Sequence, residues 1–215
     1  MTKHVIFDFD GTIVESRYLA VELLNELAPK YKLRKIKESE YEHLRSLSIP
    51  QRCQAINLPF YKLPILKMDL TKKYRRATAS LQAIDGIKEV LGKLKAGGMT
   101  LSILSSNSTE NINAFLAHNN INFFDYIISS GGLFGKDKAI KSFLTKHRLN
   151  NKDIIYVGDE CRDISACQKN KVRIIAVTWG YDAEELLAGC HPDALIRNPL
   201  ELYNIVLNMT WSKLS

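Results

Sequence analysis

The chain has 215 residues, 46% of them apolar and 25% charged with both signs mixed, enough for one full core plus an inserted or appended subdomain. No apolar run approaches the roughly 18 residues of a membrane helix, and the start MTKHVIFDFD lacks the longer apolar stretch and small-residue cleavage site of a signal peptide, so a cytoplasmic protein is expected, with no membrane partner. The formal charge of +7 is dispersed over tracts such as KYKLRKIK and KKYRR, without an RNA-binding or zinc-finger signature, so solvated helix faces are expected rather than a nucleic-acid partner.

The first element in chain order is HVIFDF, residues 4–9, an apolar strand running into FDGT. Strand alternation points Asp8 and Asp10 to the same side, where like charges repel unless a cation or hydrogen-bond donors compensate them. From about 16 to 81 no strand is evident, yet RYLAVELLNELAPKY and LPILKMDLTKKYRRATASL are amphipathic. Loops rarely exceed about 12–15 residues, so this interval reads as a helical cap domain. Its tract SLSIPQRCQAINLPFYKLP, residues 46–64, holds three prolines and predicts a bend between cap helices. Then follow a helix in AIDGIKEVLGKLKAGG (83–98), a strand in MTLSILS (99–105) and a helix in STENINAFLAHNN (108–120), which opens on a capping signal. A strand in YIIS (126–129), a helix in KAIKSFLTKHRL (138–149) and strands in DIIYVG (153–158) and VRIIAVT (172–178) complete the pattern. This alternation predicts an α/β fold, a doubly wound Rossmann-like parallel sheet with an inserted helical cap domain. The core domain is expected over 1–15 and 82–215, the cap over 16–81.

Ligands of open α/β sheets bind beyond the carboxyl ends of the strands. The first strand delivers Asp8, Asp10, Gly11 and Thr12 there, and the second delivers Ser105, Ser106 and Asn107, hydroxyl and amide donors beside a helix N-terminus. After the third strand comes GGLFGKDK with Lys136 and Lys138, and the fourth ends YVGDECRD with Asp159, Glu160 and Asp163. Asp159 and Asp163, four apart, share a face if a helix starts after Gly158. Clustered hard oxygen ligands suit Mg²⁺, and the lysine with the serine and asparagine donors suits an anionic phosphoryl group.

FDFDGTIVES, ILSSNS, the GKDK lysine and VGDECRD, in this order, resemble the four signature motifs of the haloacid dehalogenase (HAD) superfamily. The insertion lies where the C1-capped, phosphoglycolate-phosphatase-like subgroup carries its cap, and VTWGYDAEELLAGCHPDALIRNPLEL (177–202) resembles that subgroup's closing turn, short strand and final helix. The resemblance implies a Mg²⁺-dependent phosphatase acting on a small phosphorylated metabolite through an aspartyl-phosphate, as a monomer or homodimer. It implies Asp8 as nucleophile, Asp10 as general acid and base, and Ser105 and Lys136 as catalytic groups. Ser105, Ser106, Asn107 and Lys136 would bind the phosphoryl group. Asp8, the Asp10 carbonyl and Asp159 would bind Mg²⁺, with Asp163 binding through water or positioning Lys136. The missing prolines of the GKDK motif leave Lys138 as an alternative to Lys136. Separately, Glu160 could replace or supplement Asp163, and Ser106 is an alternative to Ser105.

Phosphoglycolate is the substrate the subgroup suggests. Alternatives are a sugar phosphomutase of the same fold and a non-catalytic phosphate-binding regulatory protein. Dehalogenation does not need Asp10 and the acidic motif, and no cap lysine stands out for a phosphonatase Schiff base. Cys53, Cys161, Cys167 and Cys190 show no CxxC spacing and are expected as reduced thiols, Cys161 being a small filler rather than a nucleophile. The five histidines lack metal-ligand spacing. Trp179 and Tyr181 read as packing or turn residues, and Phe60 and Tyr61 as cap aromatics that could touch substrate.

Overall fold

The computed structural model describes residues 4–78, 81–131 and 135–211, the last two without their side chains. Gly132, Leu133 and Phe134 of the expected glycine-rich turn, and residues 79 and 80, lie outside the described residues.

Among the described residues six strands form one parallel sheet: β1 (His4–Phe7), β2 (Thr100–Ser105), β3 (Tyr126–Ser129), β4 (Ile154–Gly158), β5 (Arg173–Val177) and β6 (Ala194–Ile196). Their order is β3-β2-β1-β4-β5-β6 and every pairing is parallel. The order reverses at β1, whose Phe7 pairs with Ile103 of β2 on one side and Val157 of β4 on the other. A crevice opens at such a switch point beyond the strand ends.

Strand alternation divides the core between two faces. Val5, Phe7, Leu101, Ile103, Ile155 and Val157 pack with helices α5 (Ile87–Ala96), α6 (Thr109–His118) and α10 (Glu201–Trp211). Ile6, Leu104, Ile154, Tyr156 and Ile174 face α7 (Lys136–His147) and α8 (Cys161–Asn170). Burial on both faces is why these strands read as continuous apolar runs. The expected signal at α6 corresponds to a cap bond: the Ser108 side chain accepts from the Asn111 N–H at 3.2 Å.

Between β1 and α5 lie α1 (Arg17–Tyr31), α2 (Tyr41–Arg45), α3 (Ile49–Ala55) and α4 (Leu63–Ala77), with short 3₁₀ turns between them. They share a separate apolar cluster of Leu27, Cys53, Ile56, Leu58 and Leu66. Helices α1 and α4 run antiparallel, tied by Lys30 to Asp69 at 2.5 Å and Lys73 to Glu26 at 2.7 Å. The 46–64 tract is more than the expected bend, because it contains α3. Pro50 falls in the first turn of that helix, where its missing N–H sacrifices no intrahelical bond.

His4 anchors the start of the sheet, buried at 4% exposure with its Nε2 2.7 Å from Ser102 Oγ. Burial, with help from His147, pushes its imidazole down to about 4. The unfolded chain therefore takes up a proton near pH 6.5 that the folded chain refuses. Stability present above pH 6.5 should fall as the pH drops towards 4, by about 2 kcal/mol from this group alone. Urea denaturation at pH 7 and pH 4.5 checks this: His4→Gln should show a smaller pH loss than the unaltered chain, and equal losses would refute it.

Candidate active site

Asp8 follows β1 and stays bonded to β4 through its N–H, which donates to the Val157 carbonyl at 2.8 Å. It therefore continues the parity of Ile6 and faces the side covered by α7 and α8. Lys136, the first residue of α7, donates to Asp8 Oδ2 at 2.5 Å and also pairs with Asp163 in the first turn of α8. Asp8, Lys136 and Asp163 are all almost fully buried. Burial disfavours the Lys136 ammonium, but Asp163 and Asp8 outweigh that and hold its pKa above the ordinary lysine value. Lys138, the alternative, is exposed on the far side of the helix start.

The carboxylates of Asp8 and Asp10 do not share a strand face as alternation suggests. The strand ends at Phe7, and the N–H groups of Thr12, Ile13 and Val14 all turn back to the Phe9 carbonyl. Phe9 enters the core against Phe115, and Asp10 turns to Asn107, whose Nδ2 donates to Asp10 Oδ2 at 3.0 Å. Asn107 is itself fixed: its Oδ1 accepts from Asn111 Nδ2 at 2.9 Å, and its N–H donates to Ser105 Oγ at 3.2 Å. Ser105 is buried at the end of β2, while Ser106 is partly exposed.

The acidic motif lies across the crevice. Asp159 accepts from Thr12 Oγ1 and from the Tyr181 N–H, both at 2.7 Å. Glu160 pairs with Arg162. Carboxylate oxygens of Asp8, Glu160 and Asp163 lie within 4.8 Å of one another, a group able to hold a cation. Four buried carboxylates, Asp8, Asp159, Glu160 and Asp163, share the cations Lys136 and Arg162. Burial, then Glu160, Asp8 and Asp163, push the Asp159 carboxyl far up, and burial likewise pushes Asp163 up. Glu160, despite burial, is held down at about 2 by Arg162 and Lys136. Asp163 Oδ2 is buried with no hydrogen-bond partner. This excess of buried negative charge, with hard oxygen donors, fits a divalent metal.

Close backbone approach makes room for the cluster. A Cβ on Gly180 would fall 2.2 Å from Asp159 Cβ, and Gly11, at φ +76°, would meet Asp159 Oδ2 at 2.3 Å. Gly180→Ala should cost about 1–3 kcal/mol by overpacking. Gly189→Ala, which meets nothing within 4 Å, should not destabilise. Chemical denaturation of both variants checks the contrast.

The helical insertion roofs the crevice. Arg45 Nη2 donates to the Thr178 carbonyl at 2.9 Å, and Arg52 Nη2 pairs with Asp182 Oδ1 at 2.5 Å. Between the insertion and Asp10 lies a cavity of about 60 Å³, walled below by Asp10 and Asn107 and above by Lys67, Thr71 and Tyr74 of α4. A larger open cleft of about 660 Å³, with Glu22, Glu26, Glu38 and Glu42 on its walls, lies on the insertion and contains none of these site residues.

No sequence motif marked Lys67 or Tyr74; helical spacing puts them on one side of α4 but does not say that this side faces the strand ends. Tyr181 does more than pack, since it also closes the cavity and its hydroxyl lies 3.0 Å from Ser16 Oγ. Phe60 and Tyr61 are exposed and do not line that cavity. Trp179 packs as expected, its indole N–H donating to the Thr12 carbonyl at 3.2 Å. The cysteine reading needs correction: Cys161, at the start of α8, is disulfide-bonded to Cys190, just after α9 (Glu184–Gly189), while Cys53 and Cys167 are free and buried. The 29-residue separation of this pair carries no spacing signal, because the fold alone brings the two together.

The family described as haloacid dehalogenase-like hydrolase matches residues 5–177, from β1 through β5. The chain belongs to the haloacid dehalogenase-like hydrolases. A phosphoglycolate phosphatase of Synechococcus elongatus is 31% identical over 207 residues, covering 95% of this chain and 97% of that protein. Solved folds agree: the haloacid dehalogenase-like family protein SP0104 of Streptococcus pneumoniae superposes with a TM-score of 0.77 at 19% identity, covering 95% of this chain and 98% of that one. CbbY of Rhodobacter sphaeroides, solved in complex with phosphate, gives 0.70 at 19% identity over 94% of this chain and 96% of its own. In this haloacid dehalogenase-like hydrolase the four motifs meet at one crevice, beneath the helical insertion.

Proposed function

We propose that the chain is a Mg²⁺-dependent phosphatase that hydrolyses a small phosphomonoester through an aspartyl-phosphate, with phosphoglycolate as the substrate that its 31% identical relative suggests. The observation that carries this reading is the buried Lys136 ammonium bonded to Asp8, opposite an Asp10 carboxylate held by Asn107. Asp8 attacks phosphorus as the ester P–O bond breaks, and Asp10 gives its proton to the leaving alcohol oxygen. In the second half, water attacks the aspartyl-phosphate and yields its proton to Asp10, which frees phosphate and regenerates Asp8. Lys136 neutralises the nucleophile and phosphoryl oxygens, while Ser105, Ser106 and Asn107 hold the phosphoryl group. Asp163 keeps Lys136 in place.

Mg²⁺ would be held by Asp8, the Asp10 carbonyl and Asp159, with Glu160 and Asp163 beside it. When bound, it supplies neutralising charge to the phosphoryl oxygens and the acidic cluster. Residues 16–81 act as the cap that excludes water over the core of 1–15 and 82–215. The cavity of about 60 Å³ favours a short leaving alcohol over the hexose of a phosphomutase.

Phosphate release from 2-phosphoglycolate and from hexose phosphates, with Mg²⁺ and with chelator, tests the reading. Hydrolysis of the small ester that stops on chelation is expected. No release across the panel, or isomerised hexose phosphate as product, would contradict it.

A further inference from the structure

Lys67, Leu70, Thr71 and Tyr74 lie at i, i+3, i+4 and i+7 of α4, one face of that helix, and all four line the small cavity opposite Asp10. Thr71 spends its hydroxyl within the helix, donating to the Lys67 carbonyl at 2.9 Å. Two groups on the cavity wall lack hydrogen-bond partners although buried: Asp10 Oδ1 and the Tyr74 hydroxyl. Burial, with Asp10 nearby, pushes the Tyr74 phenol far up, so it stays protonated and can donate. The Lys67 ammonium makes no hydrogen bond or ion pair among the described residues. Lys73 on the same helix differs, pairing with Glu26 on the outer surface.

An ammonium turned inward into a confined space loses hydration that an anion can replace. Burial pulls the Lys67 pKa down, and Asp10 only partly opposes this, so a second negative charge in the cavity would be favoured. The transferring phosphoryl group already has its proposed partners Lys136 and Ser105 at the strand ends, whereas Lys67 stands on the insertion across the cavity from Asp10. Asp10, the proposed acid for the leaving alcohol, lines this cavity opposite Lys67. At about 60 Å³ the cavity is small, with room for a fragment of a few heavy atoms.

We infer that Lys67 is the residue that recognises the carboxylate of a short leaving alcohol, with Tyr74 as a second donor on the same wall. The inference rests on the phosphatase reading of the site. It makes Lys67 a specificity residue: its contact lies on the far side of the leaving group from the reacting phosphorus.

The test compares two ligands that differ only in the remote group, 2-phosphoglycolate and the neutral 2-hydroxyethyl phosphate. Calorimetric titration of the Asp8→Asn variant with Mg²⁺ measures binding without turnover, with Lys67 present and in the added Lys67→Met change. Phosphoglycolate should bind tighter by on the order of 10- to 100-fold, and Lys67→Met should bring the ratio close to one. A ratio that survives Lys67→Met, or an equal loss for both ligands, overturns the inference. Steady-state turnover by the unaltered chain separates the two claims. If neither ester is hydrolysed while the Lys67-dependent preference persists, the phosphatase reading fails and carboxylate recognition stands; if neither ligand binds, both fail.

Discussion

Asp8→Asn should lower phosphate release from phosphoglycolate by about 10,000-fold or more, the scale expected when a covalent nucleophile is removed. The substitution is nearly isosteric but takes away the negative charge and the electron pair that would attack phosphorus. It leaves the surroundings intact: the Asp8 N–H still donates to Val157, and Lys136 still pairs with Asp163. Folding should persist, so a thermal melt beside the activity assay separates lost chemistry from lost structure. Full activity in this variant would remove Asp8 from the mechanism.

Lys136→Met should be damaging twice over. Lys136 is 3% exposed and neutralises Asp8 and Asp163, themselves almost fully buried. Removing one partner of a buried ion pair costs about 3–5 kcal/mol, because the remaining charge cannot regain water. For a chain of this size that corresponds to a fall of about 10 °C in the melting temperature. Activity should fall by about 1,000-fold, since the nucleophile and the phosphoryl oxygens lose their charge neutralisation. Lys136→Met combined with Asp163→Asn should recover part of the stability and none of the turnover. Recovery of both would mean that Lys136 serves the fold alone. A melt and a phosphate assay on the two variants decide the matter.

Much of this site is readable from the chain because its parts are local. VIFDFDGT, LSILSSN and IIYVGDE each join an apolar strand to polar residues at its end, and parallel pairing then carries those ends to one edge. Lys136 is readable as a motif lysine, but its choice over Lys138 required the helix start: α7 begins at Lys136 and turns it inward, leaving Lys138 exposed. The same-side reading of Asp8 and Asp10 failed because the strand ends at Phe7 and a turn closes on the Phe9 carbonyl. Three prolines in 46–64 disguised α3, since a proline in a helix's first turn looks in sequence like a breaker. Lys67, Tyr74 and the Cys161–Cys190 bond were out of reach, each depending on how elements distant in sequence pack. The pattern is physical: period and end residues are local, whereas the face a helix of the insertion presents is set by docking contacts such as Arg52 to Asp182.

The central claim is that Asp8 carries the phosphoryl group between two half-reactions. Acid quenching during turnover of phosphoglycolate with Mg²⁺, followed by peptide mapping of the trapped protein, tests it most directly. The phosphoryl group should be found on the peptide containing Asp8, be absent from the Asp8→Asn variant, and decay when substrate is exhausted. Turnover with no phosphorylated peptide under any quench time, or with the group on another residue, would contradict the account.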